Sequence, residues 1–119
     1  MSKTIPLFIT FLLLLSSCLP FKTLNSTTNI KANDTFILGN NEHGKFYVYV
    51  TNTSNNEITI GQYPITGGRH SSLVLKGLSS ARVAVDKNTS LRFENNASEE
   101  VAIKLKVKGD LGLSMGYKN

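Results

Sequence analysis

The chain has 119 residues, a formal net charge of +5, 40% hydrophobic residues, a single cysteine and no tryptophan. That length suits one small domain, and one cysteine excludes a disulfide framework or thiolate metal cluster within the chain. The modest positive balance favours anionic surfaces weakly, and with no nucleic-acid-binding motif present no nucleic-acid partner is expected.

The first element is a leader. Lys3 supplies a short positive region, residues 5–15 are apolar apart from Pro6 and Thr10, and Ser16 and Ser17 precede Cys18. The run is shorter than the roughly 20 apolar residues that a membrane-spanning helix needs, so residues 1–17 read as a secretion signal to be cleaved. The tetrapeptide Leu15-Ser16-Ser17-Cys18 resembles the lipobox of bacterial lipoprotein precursors, a leucine and two small residues before a cysteine. The resemblance implies that Cys18 is lipidated, with palmitate among the acyl groups, and becomes the mature N-terminus. It further implies a membrane partner through that lipid and a place in the cell envelope, in the outer membrane where the cell has one. An ordinary signal cut nearby would instead release a soluble secreted protein. The resemblance ends at residue 18, and the rest of the chain resembles no specific family.

Sequons at Asn25, Asn33, Asn52, Asn88 and Asn96 would suggest glycosylated secretion if taken literally. A chain this rich in Asn, Ser and Thr generates them by chance, and the cysteine placement outweighs them.

Residues 18–34 contain Pro20 and a Ser/Thr/Asn cluster without sustained periodicity. They are expected to form a lipidated cysteine and flexible tether; the alternative is that residues 29–31 join the sheet as an edge strand. From residue 35 onward, β-branched and aromatic runs alternate with turn residues. Strands are expected at 35–38, 45–51, 57–63, 71–75, 81–85, 90–94, 101–108 and 111–117, separated by pairs such as Gly67-Gly68, Asn95-Asn96 and Gly109-Asp110. Seven to eight short strands at this spacing predict an all-β fold over residues 35–119. The expected form is a small antiparallel β-sandwich of jelly-roll or immunoglobulin-like type.

Alternation assigns the faces. Phe46, Val48 and Val50 share one side of their strand, with Tyr47 and Tyr49 on the other. Val101, Ile103, Leu105 and Val107 alternate with Ala102, Lys104, Lys106 and Lys108, which gives that strand one wet face. The last two strands are expected to pair through a Lys108-Gly109-Asp110 connection, setting the lysines beside Gly112, Ser114 and Gly116.

Three features are candidates for a ligand or partner surface. Lys104, Lys106 and Lys108 would form a basic strip for an acidic glycan, phosphate headgroups or an acidic partner. Tyr47 and Tyr49 would offer ring faces to sugars. Arg69 and His70, in a loop with Gly67 and Gly68, would suit an anion. No nucleophile elbow, phosphate loop or metal-ligand spacing is present, so no catalytic residues, metal or cofactor are assigned and the chain is expected not to be an enzyme. The expected function is a lipid-anchored binding or assembly module of a bacterial envelope, presenting a sheet face to a glycan or envelope protein. The alternative is a structural accessory lipoprotein of a secretion or adhesion complex.

Overall fold

The computed structural model describes residues 22–119 apart from Arg69. The regular elements among them are nine strands: β1 (Leu24–Ile30), β2 (Thr35–Leu38), β3 (Phe46–Asn52), β4 (Ile58–Pro64), β5 (Ser71–Leu75), β6 (Ser80–Val85), β7 (Thr89–Glu94), β8 (Val101–Gly109) and β9 (Met115–Tyr117). They form two antiparallel sheets, ordered β1-β8-β3-β6 and β5-β4-β7-β2-β9. The first eight strands pair in nested fashion, β1 with β8, β2 with β7, β3 with β6 and β4 with β5. One long hairpin has in effect been rolled up until β3 also meets β8 and β4 meets β7. That is the jelly roll, so the all-β expectation holds and the immunoglobulin-like order is set aside.

The core lies between the sheets. Phe46, Val48 and Val50 of β3 face Leu91 and Phe93 of β7 and Ile58 and Ile60 of β4, all essentially without solvent exposure. Burying each such side chain is worth roughly 1.5–3 kcal/mol, and the two-residue period that places them inside turns Tyr47 and Tyr49 outward. Leu111 and Leu113 pack on the rim of this cluster.

Buried amides close the end of the barrel remote from the start of β1. The Asn52 side-chain amide donates to the carbonyls of Asn56 at 2.7 Å and Lys76 at 3.3 Å. Asn95 donates to the carbonyls of Ile30 at 3.0 Å, Lys31 at 3.1 Å and Glu99 at 2.7 Å. Asn52, one of the sequon asparagines, is wholly buried, so in the folded protein its amide is committed to the loop.

Two expectations are corrected. Leu24–Ile30, assigned to the tether from composition, form β1, which pairs with β8 along its whole length, from Leu24 opposite Val107 to Ile30 opposite Val101. The strand lacked an apolar signature because two of its inward positions carry hydroxyls, Ser26 and Thr28, which satisfy each other at 2.9 Å. The final strand does not pair with β8 either. Its partner is β2, with Phe36 opposite Tyr117. The reason is that β8 already has β1 on one edge and β3 on the other and no edge remains. Gly109, at φ 103°, turns the chain away; a Cβ there would stand 2.8 Å from the Lys45 carbonyl oxygen. Residues 110–114 then cross the barrel end to the second sheet.

Candidate functional site

The roll brings together what the sequence left apart. On the outer face of the four-stranded sheet, Tyr47 stands opposite Lys108, Tyr49 opposite Lys106 and Thr51 opposite Lys104. On the far side of β8, Asn25 stands opposite Lys106 and Thr27 opposite Lys104. On the far side of β3, Arg82 stands opposite Tyr49. The lysine strip therefore neighbours the tyrosines, not Gly112, Ser114 and Gly116 as expected from the sequence.

Cations surround the two rings. The Arg82 guanidinium carbon lies 4.8 Å from the Tyr47 ring centre and 5.7 Å from that of Tyr49. Lys45 Nζ is 5.7 Å from the Tyr47 ring and Lys108 Nζ 5.7 Å from the Tyr49 ring. These separations fall within cation–π range, so the rings and charges hold one another in place while Tyr49 stays 39% exposed. Beside Tyr49 a shallow groove of about 430 Å³ is lined by Asn25, Thr27, Thr51, Lys104 and Lys106. Hydroxyls and an amide that both donate and accept, a partly bare ring and two ammonium groups suit a polyhydroxylated ligand that carries acid groups.

The other candidates lie elsewhere. His70 lies on the β4–β5 connection of the five-stranded sheet, where its ring stacks on Tyr63 of β4 with centres 4.6 Å apart and planes 10° from parallel. Arg92 places its guanidinium 4.3 Å from the same Tyr63 ring. His70 is thus separate from the tyrosine and lysine face, and Arg69 lies outside the described residues. The second histidine, His43, is buried; Nδ1 is 2.6 Å from the Gly44 carbonyl and Nε2 2.8 Å from that of Thr89, so it pins the β2–β3 connection to β7. Among the described residues no three His, Cys, Asp or Glu side chains group as metal ligands would.

Sequence reasoning missed Arg82, Asn25, Thr27 and Thr51. Alternation alone marks Arg82 and Thr51 as outward, between Val83 and Ala81 and between Val50 and Asn52. Nothing local to β1 marked Asn25 or Thr27, because their strand was not recognised.

At the base of this face Asp110 fixes the β8–β9 connection. Its carboxylate accepts the Gly44 amide at 2.6 Å and the Gly112 amide at 2.8 Å. Those two bonds, Gly44 first, hold its pKa below the ordinary value of 3.8.

No family model and no curated protein matches the sequence. Solved structures do resemble the fold. Capsular polysaccharide assembling protein CapF from Staphylococcus aureus superposes with a TM-score of 0.58 and 16% identity, over 74% of this chain and 25% of that one. CapF with the inhibitor 3-isopropenyl-tropolone gives a TM-score of 0.59 at 16% identity, again over 74% and 25%. RmlC from Streptococcus suis in complex with dTDP-D-xylose gives 0.51 at 17% identity, over 74% of this chain and 44% of that one. The chain spans about a quarter of the length of the CapF chains. At these identities the likeness is one of fold alone, the two-sheet antiparallel β architecture shared with CapF and RmlC.

These neighbours overturn the expectation that the chain is not an enzyme. A protein crystallised with an inhibitor and one holding a nucleotide sugar share this barrel, so the lack of a familiar catalytic motif in the sequence does not exclude an activity.

Proposed function

We propose that this protein is a lipid-anchored module of a bacterial cell envelope that holds an acidic glycan on the outer face of its four-stranded sheet. The observation that carries the reading is the row Asn25, Lys106, Tyr49, Arg82, in which each residue stands directly opposite the next across four adjacent strands. A sugar residue lying on the exposed side of Tyr49 would present its hydroxyls to Asn25, Thr27 and Thr51. Its carboxylate or phosphate would meet Lys104 or Lys106. The structural neighbours, among them a capsular polysaccharide assembling protein and a protein in complex with dTDP-D-xylose, agree with a sugar ligand. The Leu15-Ser16-Ser17-Cys18 tetrapeptide supports an anchored, extracytoplasmic location.

Affinity electrophoresis of the purified protein through gels containing polygalacturonate, hyaluronan or neutral dextran tests the reading. Retardation by at least one acidic polymer, absent with dextran and abolished by Lys104→Glu/Lys106→Glu, is the expected result. Equal mobility in all three gels, or equal retardation by dextran, contradicts it.

A further inference from the structure

The start of β1 fixes where a lipid anchor would leave the domain. Leu24 stands opposite Val107, near the end of β8 that carries Lys108. Extended fully, the chain from Cys18 to Leu24 reaches at most about 20 Å. A tether running to residue 34 would have kept the domain well clear of a bilayer, but β1 begins at Leu24 and leaves only residues 18–23 ahead of it. An acyl group on Cys18 would bring one particular end of the barrel to the membrane surface.

That end is basic. Lys22, Lys106 and Lys108 line a second groove, of about 650 Å³, together with Asp110 and Leu111. Lys45 precedes β3 beside it, and Lys87 occupies the β6–β7 turn at the same end. Of the carboxylates at this end, Asp110 is tied to the Gly44 and Gly112 amides, while Glu42 and Asp86 are exposed and moderate the charge without reversing it. Asp34, Glu57, Glu99 and Glu100 lie on the connections at the opposite end, where Lys31, Lys76 and Lys118 offset them in part. The barrel is polarised along its strands, positive where the anchor would emerge.

We propose that the end bearing Lys22, Lys45 and Lys108 rests on the anionic lipid headgroups of the membrane that holds the Cys18 acyl chain, an inference that depends on that acylation. A basic patch beside a lipid anchor adds electrostatic attraction to anionic lipids and fixes which end of the domain faces them. Each lysine at an anionic surface strengthens binding by about fivefold. The docked domain turns its acidic loops outward and leaves the Asn25, Tyr49 and Thr51 groove on its flank.

The test is lysine footprinting. Protein purified from its native membrane is reconstituted on vesicles of phosphatidylcholine alone or of phosphatidylcholine with phosphatidylglycerol, flotation confirms attachment, and an amine-acetylating reagent labels the exposed lysines. On the phosphatidylglycerol vesicles Lys22, Lys45 and Lys108 should be acetylated about fivefold more slowly than on phosphatidylcholine, with Lys31 and Lys76 unchanged. Salt at about 1 M, where the Debye length is about 3 Å, should abolish the protection while the lipid keeps the protein on the vesicle. Equal labelling on the two vesicle types overturns the docking even if the anchor is present. Failure to float with phosphatidylcholine overturns the anchor and the inference with it. The Tyr49→Thr variant separates this inference from the glycan reading, because it should leave the protection of Lys22 and Lys45, which do not touch that ring, unchanged.

Discussion

Tyr49 of β3 and Lys106 of β8 stand directly opposite each other on the outward side of the four-stranded sheet, although 57 positions separate them in the chain. Facing residues on one sheet side lie within about 5.5 Å at their Cβ atoms, so a ring and an ammonium group reach the same bound residue. Contact with an acid group through Lys106 should be salt-sensitive. Binding to an acidic polysaccharide is expected to weaken steadily between about 0.05 and 0.5 M salt; isothermal titration across that range checks it, and a salt-independent affinity would speak against the lysine contacts.

Asn52 and Asn95 act as pegs for the loops at one end of the barrel. Truncating either leaves several loop carbonyls, some of them buried, without donors, at about 1–3 kcal/mol for each group lost to solvation. Asn52→Ala and Asn95→Ala are each expected to destabilise the fold by about 2–4 kcal/mol in urea titration. Asn96→Ala, at an exposed neighbour, should change stability by less than about 0.5 kcal/mol.

Asp110 makes a pH-dependent contribution whose sign follows from its lowered pKa. Because the folded protein holds the carboxylate below the ordinary 3.8, the unfolded chain binds the proton more readily. The contribution is complete above the unfolded value and is lost as pH falls through the lower folded one. Urea titrations of wild type and Asp110→Asn should therefore differ most at neutral pH and converge on acidification below about pH 4. A constant difference across that range would mean that the carboxylate charge is not what holds Gly44 and Gly112.

Leu78 sits in the turn before β6 at φ 59° and is 71% exposed. A leucine in the left-handed region is strained by about 1 kcal/mol, and its exposed side chain regains little by packing. Leu78→Asn keeps the amide that donates to the Ser54 carbonyl at 2.9 Å and should raise stability by up to about 1 kcal/mol. Thermal melts that place the variant below wild type would show that Leu78 packs more productively than its exposure implies.

The faces were legible in the sequence and the neighbours were not. Strict alternation in β3 and β8 identified Phe46, Val48 and Val50 as core and Tyr47, Tyr49 and the lysines as outward before any pairing was known. Pairing in a jelly roll joins strands remote in sequence, as β1 joins β8, and nothing local to Lys106 announces Tyr49 or Asn25. The expected hairpin between the last two strands rested on sequence adjacency, which fails once both edges of β8 are taken. β1 escaped notice because Ser26 and Thr28 satisfy each other inside a sheet, whereas in a sequence they read as linker.

The most direct measurement is the affinity of the intact protein for polygalacturonate, before and after Tyr49→Thr and Lys106→Glu. Threonine keeps the β propensity and lysine reversal leaves the core intact, so neither variant should move the melting temperature by more than a few degrees. If this face holds an acidic glycan, each variant should weaken binding about tenfold or more. Wild-type affinity in both variants would contradict it.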